Sequence, residues 1–214
     1  MHSLINAVQS DFEGKYPNAS VTVVISNNPG AAGLKAARQA GIACEVVDHR
    51  KFSDRASFDR ELSAVIDAAA ADWILLAGFM RILGPAFVNQ YRGKLINIHP
   101  SLLPAYPGLN THQRAIAAGD RVAGASVHYV TEQLDGGPVI LNAQVAIETT
   151  DDADSLASRV LEKEHIIYPL ALRWVLQGQA CLKTDAQHGD YFEWQGKRYI
   201  QPLQLHDLPN SASR

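Results

Sequence analysis

Two polar side chains near the middle of the chain have the types and the spacing for acid–base chemistry. Asn97 and His99 stand two apart in the apolar run Lys94-Leu-Ile-Asn-Ile-His99, so on a strand both side chains project from the same face. Pro100 stops the run and places the pair at the carboxyl end of that strand, where ligands bind in open α/β sheets. Taken alone, the pair is equally compatible with a buried, hydrogen-bonded histidine and asparagine.

A carboxylate that could complete this pair lies further along the chain. Leu134-Asp-Gly-Gly-Pro138 predicts a turn between two strands, in which an aspartate more often stabilises the turn than reacts. Beside a histidine, however, a carboxylate stabilises the charged ring. An imidazolium together with an amide N–H binds a developing oxyanion. Because Asn97, His99 and Asp135 include no strong nucleophile, the set favours direct acyl transfer over covalent catalysis.

The remaining candidate side chains give weaker signals. His112 and His128 could lie near the pair, but a structural role is expected for both. Glu164 and His165 fall within a predicted helix, whose charged residues usually face solvent. The histidines form no ligand motif such as H-E-x-x-H, so we predict no catalytic metal.

The elements that position these residues alternate between strand-like and helix-like patterns. Such alternation predicts an α/β fold with a mostly parallel, doubly wound sheet. Pro169 should kink or break the last helix. Strands are predicted over 21–25, 42–47, 73–77, 94–99, 124–130 and 138–147, helices over 3–12, 31–40, 53–71, 85–91, 110–118 and 151–177, and a hairpin over 191–200 that turns at Gln195-Gly196.

Composition excludes several classes of protein. The chain has 214 residues, 47% apolar and 19% charged, with a net charge of −3, which predicts a well-packed domain over 1–180 with a tail over 181–214 on the same domain. That charge indicates no nucleic-acid partner. The two cysteines are too few for a disulfide framework and suggest a reducing cytoplasm. The most apolar run, 73–80, is far shorter than the ~20 residues that span a bilayer, and no export signal is expected.

Together these segments resemble the phosphoribosylglycinamide formyltransferases, folate-dependent enzymes of purine synthesis. The likeness runs from about residue 3 to about residue 177 and extends to Glu164-His-Ile-Ile-Tyr-Pro169. The stretches that carry it are Ala77-Gly-Phe-Met-Arg-Ile-Leu83, Asn97-Ile-His-Pro-Ser-Leu-Leu-Pro104, Tyr106-Pro-Gly-Leu109, Ser126-Val-His-Tyr-Val-Thr131 and Leu134-Asp-Gly-Gly-Pro-Val-Ile140.

The resemblance implies a role for each matching residue. Asn97, His99 and Asp135 match the family's catalytic Asn, His and Asp, and Ser3, Pro100 and Glu164 match positions that bind glycinamide ribonucleotide. The implied cosubstrate is 10-formyltetrahydrofolate, without a metal, in a monomer or homodimer that has only small-molecule substrates. The implied folate-binding positions are Arg55, Met80, Arg81, Ile82, Leu83, Thr131, Glu132, Gln133 and Leu134.

The first residues depart from the family pattern. The family has a first strand followed by a Gly-x-Gly-Ser-Asn phosphate loop. Here Ser3 matches the loop serine, whereas His2 and Leu4 stand where a glycine and the asparagine are expected. The strand and most of the loop are missing from the printed sequence, which suggests a misassigned start and a full pocket that needs upstream residues.

Three alternative functions follow from the same resemblance. A methionyl-tRNA formyltransferase would need an additional domain and a basic surface, and a formyltetrahydrofolate hydrolase would need an N-terminal regulatory domain and would use water as acceptor. The third alternative is a folate-binding module that has lost its phosphate loop and its chemistry. The complete set of Asn97, His99 and Asp135 favours the enzyme.

Overall fold

The structure is a computed structural model that describes residues 1–10, 16, 19–187, 189–199 and 201–208. Its helices are α1 His2–Gln9, α2 Ala32–Gln39, α3 Arg55–Ala68, α4 Pro85–Gln90, α5 Thr111–Ala118 and α6 Ala153–Leu176. Its strands are β1 Val23–Ser26, β2 Ala43–Val46, β3 Ile74–Leu76, β4 Leu95–His99, β5 Val122–Tyr129, β6 Val139–Ala146, β7 Ala180–Asp185, β8 Gly189–Trp194, β9 Lys197–Tyr199 and β10 Leu203–Gln204. The predicted end of the first helix at Phe12, Ile200 of the hairpin and the tail over 209–214 lie outside the described residues.

The central sheet has five strands in the order β10-β6-β5-β4-β3. It is mixed, whereas the sequence predicts a mostly parallel sheet: β3 and β10 pair parallel with their neighbours, but β4 with β5 and β5 with β6 pair antiparallel. For β5 and β6 the reason is the connection over 130–138, which is shorter than the dozen or more residues that a parallel crossover requires.

A separate parallel ladder of β1 and β2 stands beside this sheet. Between β1 and β3 lies a cavity of about 720 Å³, which is lined by consecutive residues of both segments, 23–28 and 75–80. Side chains alternate along a strand, so a cavity that meets every residue lies against the strand edge. The residues of β1 and β3 are accordingly only half-buried despite their apolar character.

The main core lies between the central sheet and α6. This helix begins with a capping box, in which Asp152 accepts a hydrogen bond from Ser155 N. It does not break at Pro169. Tyr168 instead reaches across the core and donates its hydroxyl toward Leu76 O and Ile96 O, which are 2.9 and 3.1 Å away. Helix α6 is thereby fixed to the ends of β3 and β4, directly beside the candidate site.

The chain ends in an antiparallel sheet of β7, β8 and β9. The predicted hairpin is confirmed, since β8 and β9 are joined at Gln195 and Gly196, both with positive φ as a tight hairpin requires. The sequence did not predict β7, nor β10, which pairs with β6 in the central sheet. The boundary at residue 180 stays a prediction.

Candidate active site

Strand β4 carries two of the three residues that the sequence predicts to be catalytic. Asn97 lies opposite His128 of β5, and His99 lies opposite Ser126. Both side chains lie at the carboxyl end of the strand, next to the parallel strand β3. Asn97 is therefore held by neighbouring strands on both sides, whereas the ladder holds His99 on the β5 side.

Asp135 comes within reach of His99 although it is distant along the chain. Its Oδ2 lies 3.5 Å from His99 Nδ1. On the other side of the ring, Nε2 lies 2.9 Å from the carbonyl oxygen of Tyr106. Both ring nitrogens thus face oxygen atoms that accept hydrogen bonds.

The turn that holds Asp135 has a demanding backbone. Asp135 has a φ of 48°, in the left-handed region that aspartate tolerates better than most residues. Its Oδ2 also accepts a hydrogen bond of 2.8 Å from Gly108 N. At Gly137 an added Cβ would lie 1.9 Å from the carbonyl oxygen of Tyr129, so the chain can return to β6 only through glycine. These constraints fix the carboxylate beside the imidazole.

The loop after His99 is held in place by hydrogen bonds to Ser126 of β5. This buried side chain donates to Ser101 O at 2.6 Å and accepts from Leu103 N at 3.0 Å. The loop thereby brings Tyr106 O to His99 and Gly108 N to Asp135. Its rigidity comes from these hydrogen bonds as well as from the prolines that the sequence shows.

His128 is a buried neighbour of all three candidate residues. Its Nε2 lies 3.2 Å from Asn97 Nδ2 and 3.9 Å from Asp135 Oδ1. Burial lowers the pKa of His128 to about 4, a shift that the charge of His99 supports and that Asp135 and the Tyr129 carbonyl oppose. His128 is therefore neutral at pH 7.

The predicted folate-binding residues lie on three neighbouring segments. Arg55 begins α3, and Arg81 stacks over Phe58 of that helix at 5.1 Å. Met80 and Ile82 are exposed, by 71% and 52%, whereas Leu83 packs into the cluster around α3 and α4. In the loop before Asp135, which comprises Thr131, Glu132, Gln133 and Leu134, the Glu132 carboxylate accepts from Asn89 of α4 at 2.7 Å.

The residues predicted to bind the nucleotide fall into two groups. Ser3 in the first turn of α1 and Glu164 of α6 lie on helices that pack together. Burial raises the pKa of Glu164, and the nearby Met1 ammonium opposes that rise. Pro100 lies apart from them, in the wall of a smaller cavity of about 200 Å³ beneath the loop.

The larger cavity does not coincide with the catalytic candidates. The cavity of about 720 Å³ is lined by Met1, Met80 and the β1 and β3 residues, and by none of Asn97, His99 and Asp135. It is a neighbouring chamber, and it reaches the predicted folate-binding segment at Met80.

Two further searches cover only the residues that the structure describes. Among them, no group of three or more His, Cys, Asp or Glu side chains is arranged to hold a metal ion. Within the same residues, no helix has the length and apolar character to cross a membrane.

With this geometry in place, comparison with known proteins identifies the class. A sequence profile described as "Formyl transferase" matches residues 2–172, and the chain therefore belongs to the formyl transferase family. Within it, the chain is 51% identical over 167 residues to the phosphoribosylglycinamide formyltransferase of Escherichia coli (strain K12), which covers 78% of this chain and 79% of that protein. The enzyme of the same name from Haemophilus influenzae is 42% identical, covering 89% of this chain and 88% of that protein.

Related sequences also occur inside larger proteins, and related structures are known. The human trifunctional purine biosynthetic protein adenosine-3 is 42% identical over 78% of this chain, which spans 17% of that protein. The phosphoribosylglycinamide formyltransferase structure from Coxiella burnetii superimposes with a TM-score of 0.83 at 42% identity, covering 94% of this chain and 92% of that one. The one from Anaplasma phagocytophilum gives 0.80 at 36% identity, covering 95% and 90%.

Sequence reasoning missed two backbone groups that touch the candidate residues, the carbonyl oxygen of Tyr106 and the amide of Gly108. Backbone groups leave no trace in residue type. His128 was expected to have a structural role near the pair, and its position directly opposite Asn97 follows only when the antiparallel register of β4 and β5 is known.

Proposed function

We propose that this chain transfers the formyl group of 10-formyltetrahydrofolate to the amine of glycinamide ribonucleotide. The observation that carries the proposal is the 3.5 Å approach of the Asp135 carboxylate to His99 Nδ1, beside Asn97 on the same strand face. Membership of the formyl transferase family, and the names of the similar enzymes from Escherichia coli and Haemophilus influenzae, support the choice of donor and acceptor.

The reaction needs no covalent intermediate on the protein. The amine attacks the formyl carbon, and a new C–N bond forms while the carbonyl oxygen takes the negative charge. The Asn97 amide stabilises that oxyanion together with His99, one of whose ring N–H groups exchanges its present acceptor, Asp135 or the Tyr106 carbonyl oxygen, for the oxyanion. The amine proton leaves through water held by Asp135, and N10 of the folate gains a proton as its bond to the formyl carbon breaks.

The surface near Asp135 suits the flat apolar ring of a folate. Four large apolar side chains are exposed there or on the neighbouring segment, namely Met80, Ile82, Leu109 and Leu134. Leu109 and Leu134 adjoin Gly108 and Asp135 along the chain, so both flank the carboxylate. Exposed apolar side chains concentrated beside a polar site are typical of ligand-binding surfaces. We assign the folate to this rim, together with Arg55, Arg81, Leu83 and residues 131–133.

The nucleotide is assigned to the side of α1 and α6. Ser3 and Glu164 lie on these packed helices, and Glu164 is half-buried beside the chain's ammonium group. Glu164 would accept hydrogen bonds from the substrate's amine or hydroxyl groups, and Pro100 would shape the wall between the two substrates. We place the enzyme in the cytoplasm because Cys44 and Cys181 are both unpaired.

The test is formyl transfer to glycinamide ribonucleotide by the wild type and His99→Ala. Loss of the oxyanion donor should lower kcat about 100- to 1000-fold. His206→Ala, which removes an exposed histidine, is the matched control and should retain wild-type activity.

Two of the three alternative functions give distinct results when formate release and folate-analogue binding are measured beside this assay. Release of formate without an amine acceptor would identify a hydrolase. Binding of a folate analogue with no turnover in the wild type would identify a binding module. Either result would overturn the proposal.

A further inference from the structure

A buried histidine that takes no direct part in the proposed reaction lies against Asn97. His128 is 2% exposed and occupies the ladder position opposite Asn97 on β5. Its Nδ1 lies 2.9 Å from the carbonyl oxygen of Tyr129, and its Nε2 lies 3.2 Å from Asn97 Nδ2. The ring therefore bridges a fixed backbone group and a side chain of the candidate site.

The backbone contact decides which nitrogen of His128 carries the proton. A carbonyl oxygen only accepts hydrogen bonds, so Nδ1 must donate and carry the hydrogen. In a neutral ring Nε2 is then left with its lone pair and can only accept. The group that faces it must be a donor, and for asparagine that is the amide NH₂ end.

This requirement fixes the orientation of the Asn97 amide. The two ends of an asparagine amide have nearly the same shape, and only hydrogen-bond partners distinguish them. With Nδ2 held by His128, one amide hydrogen is used and the other stays available. In the reversed orientation, the Asn97 oxygen would face a lone pair of His128, and the NH₂ group would move to the opposite side of the amide, away from the place it holds beside His128.

We propose that His128 is a positioning residue: its Nε2 lone pair holds the Asn97 amide with the N–H end toward the reacting carbonyl oxygen. The inference rests on the proposed function, since it assigns a role within that reaction.

Burial is the largest influence on the pKa of His128 and lowers it, whereas the two charged groups nearby act in opposite directions, His99 lowering that pKa and Asp135 raising it. Asp135 Oδ1 faces Nε2 at 3.9 Å, beyond hydrogen-bond distance, and the carboxylate is held by other partners through its Oδ2. His99 lies on the other side of that carboxylate. A protonated His128 would turn Nε2 into a donor, which would attract the oxygen end of Asn97 and reverse the amide.

Two substitutions separate the contacts that His128 makes. Glutamine places an acceptor near the position of Nε2 and can still face Asn97. Asparagine places a donor near the position of Nδ1 and can still face Tyr129 O, but it does not reach Asn97.

We expect His128→Asn to lower kcat about tenfold, the order of one lost hydrogen bond. His128→Gln should stay within about threefold of wild type, and KM for both substrates should be nearly unchanged in both variants. Equal losses, or a larger loss in His128→Gln, would show that His128 acts through the backbone or the core and would overturn the proposal.

A double-mutant cycle tests whether the effect passes through Asn97. In the Asn97→Ala background, His128→Asn should cost less than about twofold, because no amide remains to be oriented. An unchanged tenfold cost in that background contradicts the inference. Thermal unfolding of each variant shows whether the protein is folded under the assay conditions.

Nitrogen-15 NMR of the wild-type imidazole gives a readout that does not depend on activity. The spectrum should show the neutral Nδ1–H form of His128 at about pH 7, where an unperturbed histidine is also partly charged. An imidazolium, or the Nε2–H form, would overturn the proposal. If the wild type fails to transfer formyl groups, the proposed function fails, whereas this spectrum still decides the ring's hydrogen-bonding state.

Discussion

The two sides of strand β3 differ in packing: one side is a buried core and the other borders a cavity. On one side, β4, β5 and β6 pack against α6, and their inward residues are almost completely buried. On the other side, β3 and β1 border the cavity of about 720 Å³, and the apolar residues of both strands are half-exposed. We call these the closed region and the open region.

The strands that carry the catalytic candidates and the cavity thus lie on different sides of strand β3. Asn97, His99 and His128 belong to strands of the closed region, where neighbouring strands and buried hydrogen bonds fix each side chain. A reaction whose catalytic groups must be held in place to a fraction of an ångström needs such support. The open region can adjust to what enters it, and its lining reaches the folate-binding candidate Met80.

The largest expected effect of a substitution contrasts two glycines. In the closed region, a Cβ at Gly124 would lie 2.1 Å from the carbonyl oxygen of Ala143 on the adjacent strand. Gly124→Ala should therefore lower the free energy of unfolding by about 4 kcal/mol or more, because a backbone atom cannot move aside alone.

Gly33 of α2 is the matched position in the open region. There an added Cβ would meet the flexible end of the Met1 side chain at 2.7 Å. Gly33→Ala should change stability by no more than about 0.5 kcal/mol, and alanine's helix propensity favours a gain. Urea unfolding of both variants measures the difference, and equal losses would remove the distinction between the regions.

A second pair of substitutions compares two residues that face each other in the ladder between β3 and β4. Leu75 of β3 pairs with Ile96 of β4, which is 0% exposed. Ile96→Ala should cost about 3 kcal/mol, whereas Leu75→Ala should cost about 1 kcal/mol because its side chain is only partly buried. Chemical denaturation of the two variants compares them directly. Similar costs would mean that the open region is packed as tightly as its neighbour.

A further effect depends on pH and arises from His128. Its pKa is about 4 in the folded chain, below the ordinary value of about 6.5 expected after unfolding. As the pH falls from about 6.5 to about 4, the unfolded chain binds a proton that the folded chain does not, so stability falls by about 3 kcal/mol. Below about pH 4 this group contributes no further loss.

His128→Gln serves as the reference for that measurement because it removes the titrating ring. The difference in unfolding free energy between wild type and variant should narrow as the pH falls over that window. A difference that does not depend on pH would show that the ring is not held neutral by burial.

The sequence alone predicted the elements better than their arrangement. The spacing of Asn97 and His99 and the Pro100 that follows were sufficient to place both at a strand end, as the structure has them. The direction of β5 and β6 was missed because the parallel sheet was predicted from the alternation of strands and helices, and these two strands are joined by residues 130–138 without a helix. Strand β10 was missed because Leu203 and Gln204 are too few to form a pattern.

The candidate site was only partly accessible to sequence reasoning. The link from Asp135 to His99 could be suggested by charge chemistry and by resemblance, but its distance depends on the turn at Gly137 and on the Gly108 amide. The role of His128 depends on cross-strand register, which a single sequence does not fix. The assignments of the folate and nucleotide residues stay predictions.

The lack of room at Gly137 also sets a limit for anyone who wishes to redesign this protein. Exposed positions such as Met80 and Leu134 offer freedom to alter which cosubstrate is preferred. In a library that randomised the whole turn, every residue other than glycine at position 137 would force the backbone to move, since the Tyr129 carbonyl leaves no space for a methyl group. Diversity is better introduced on the outer side of the loop, with this single residue left untouched.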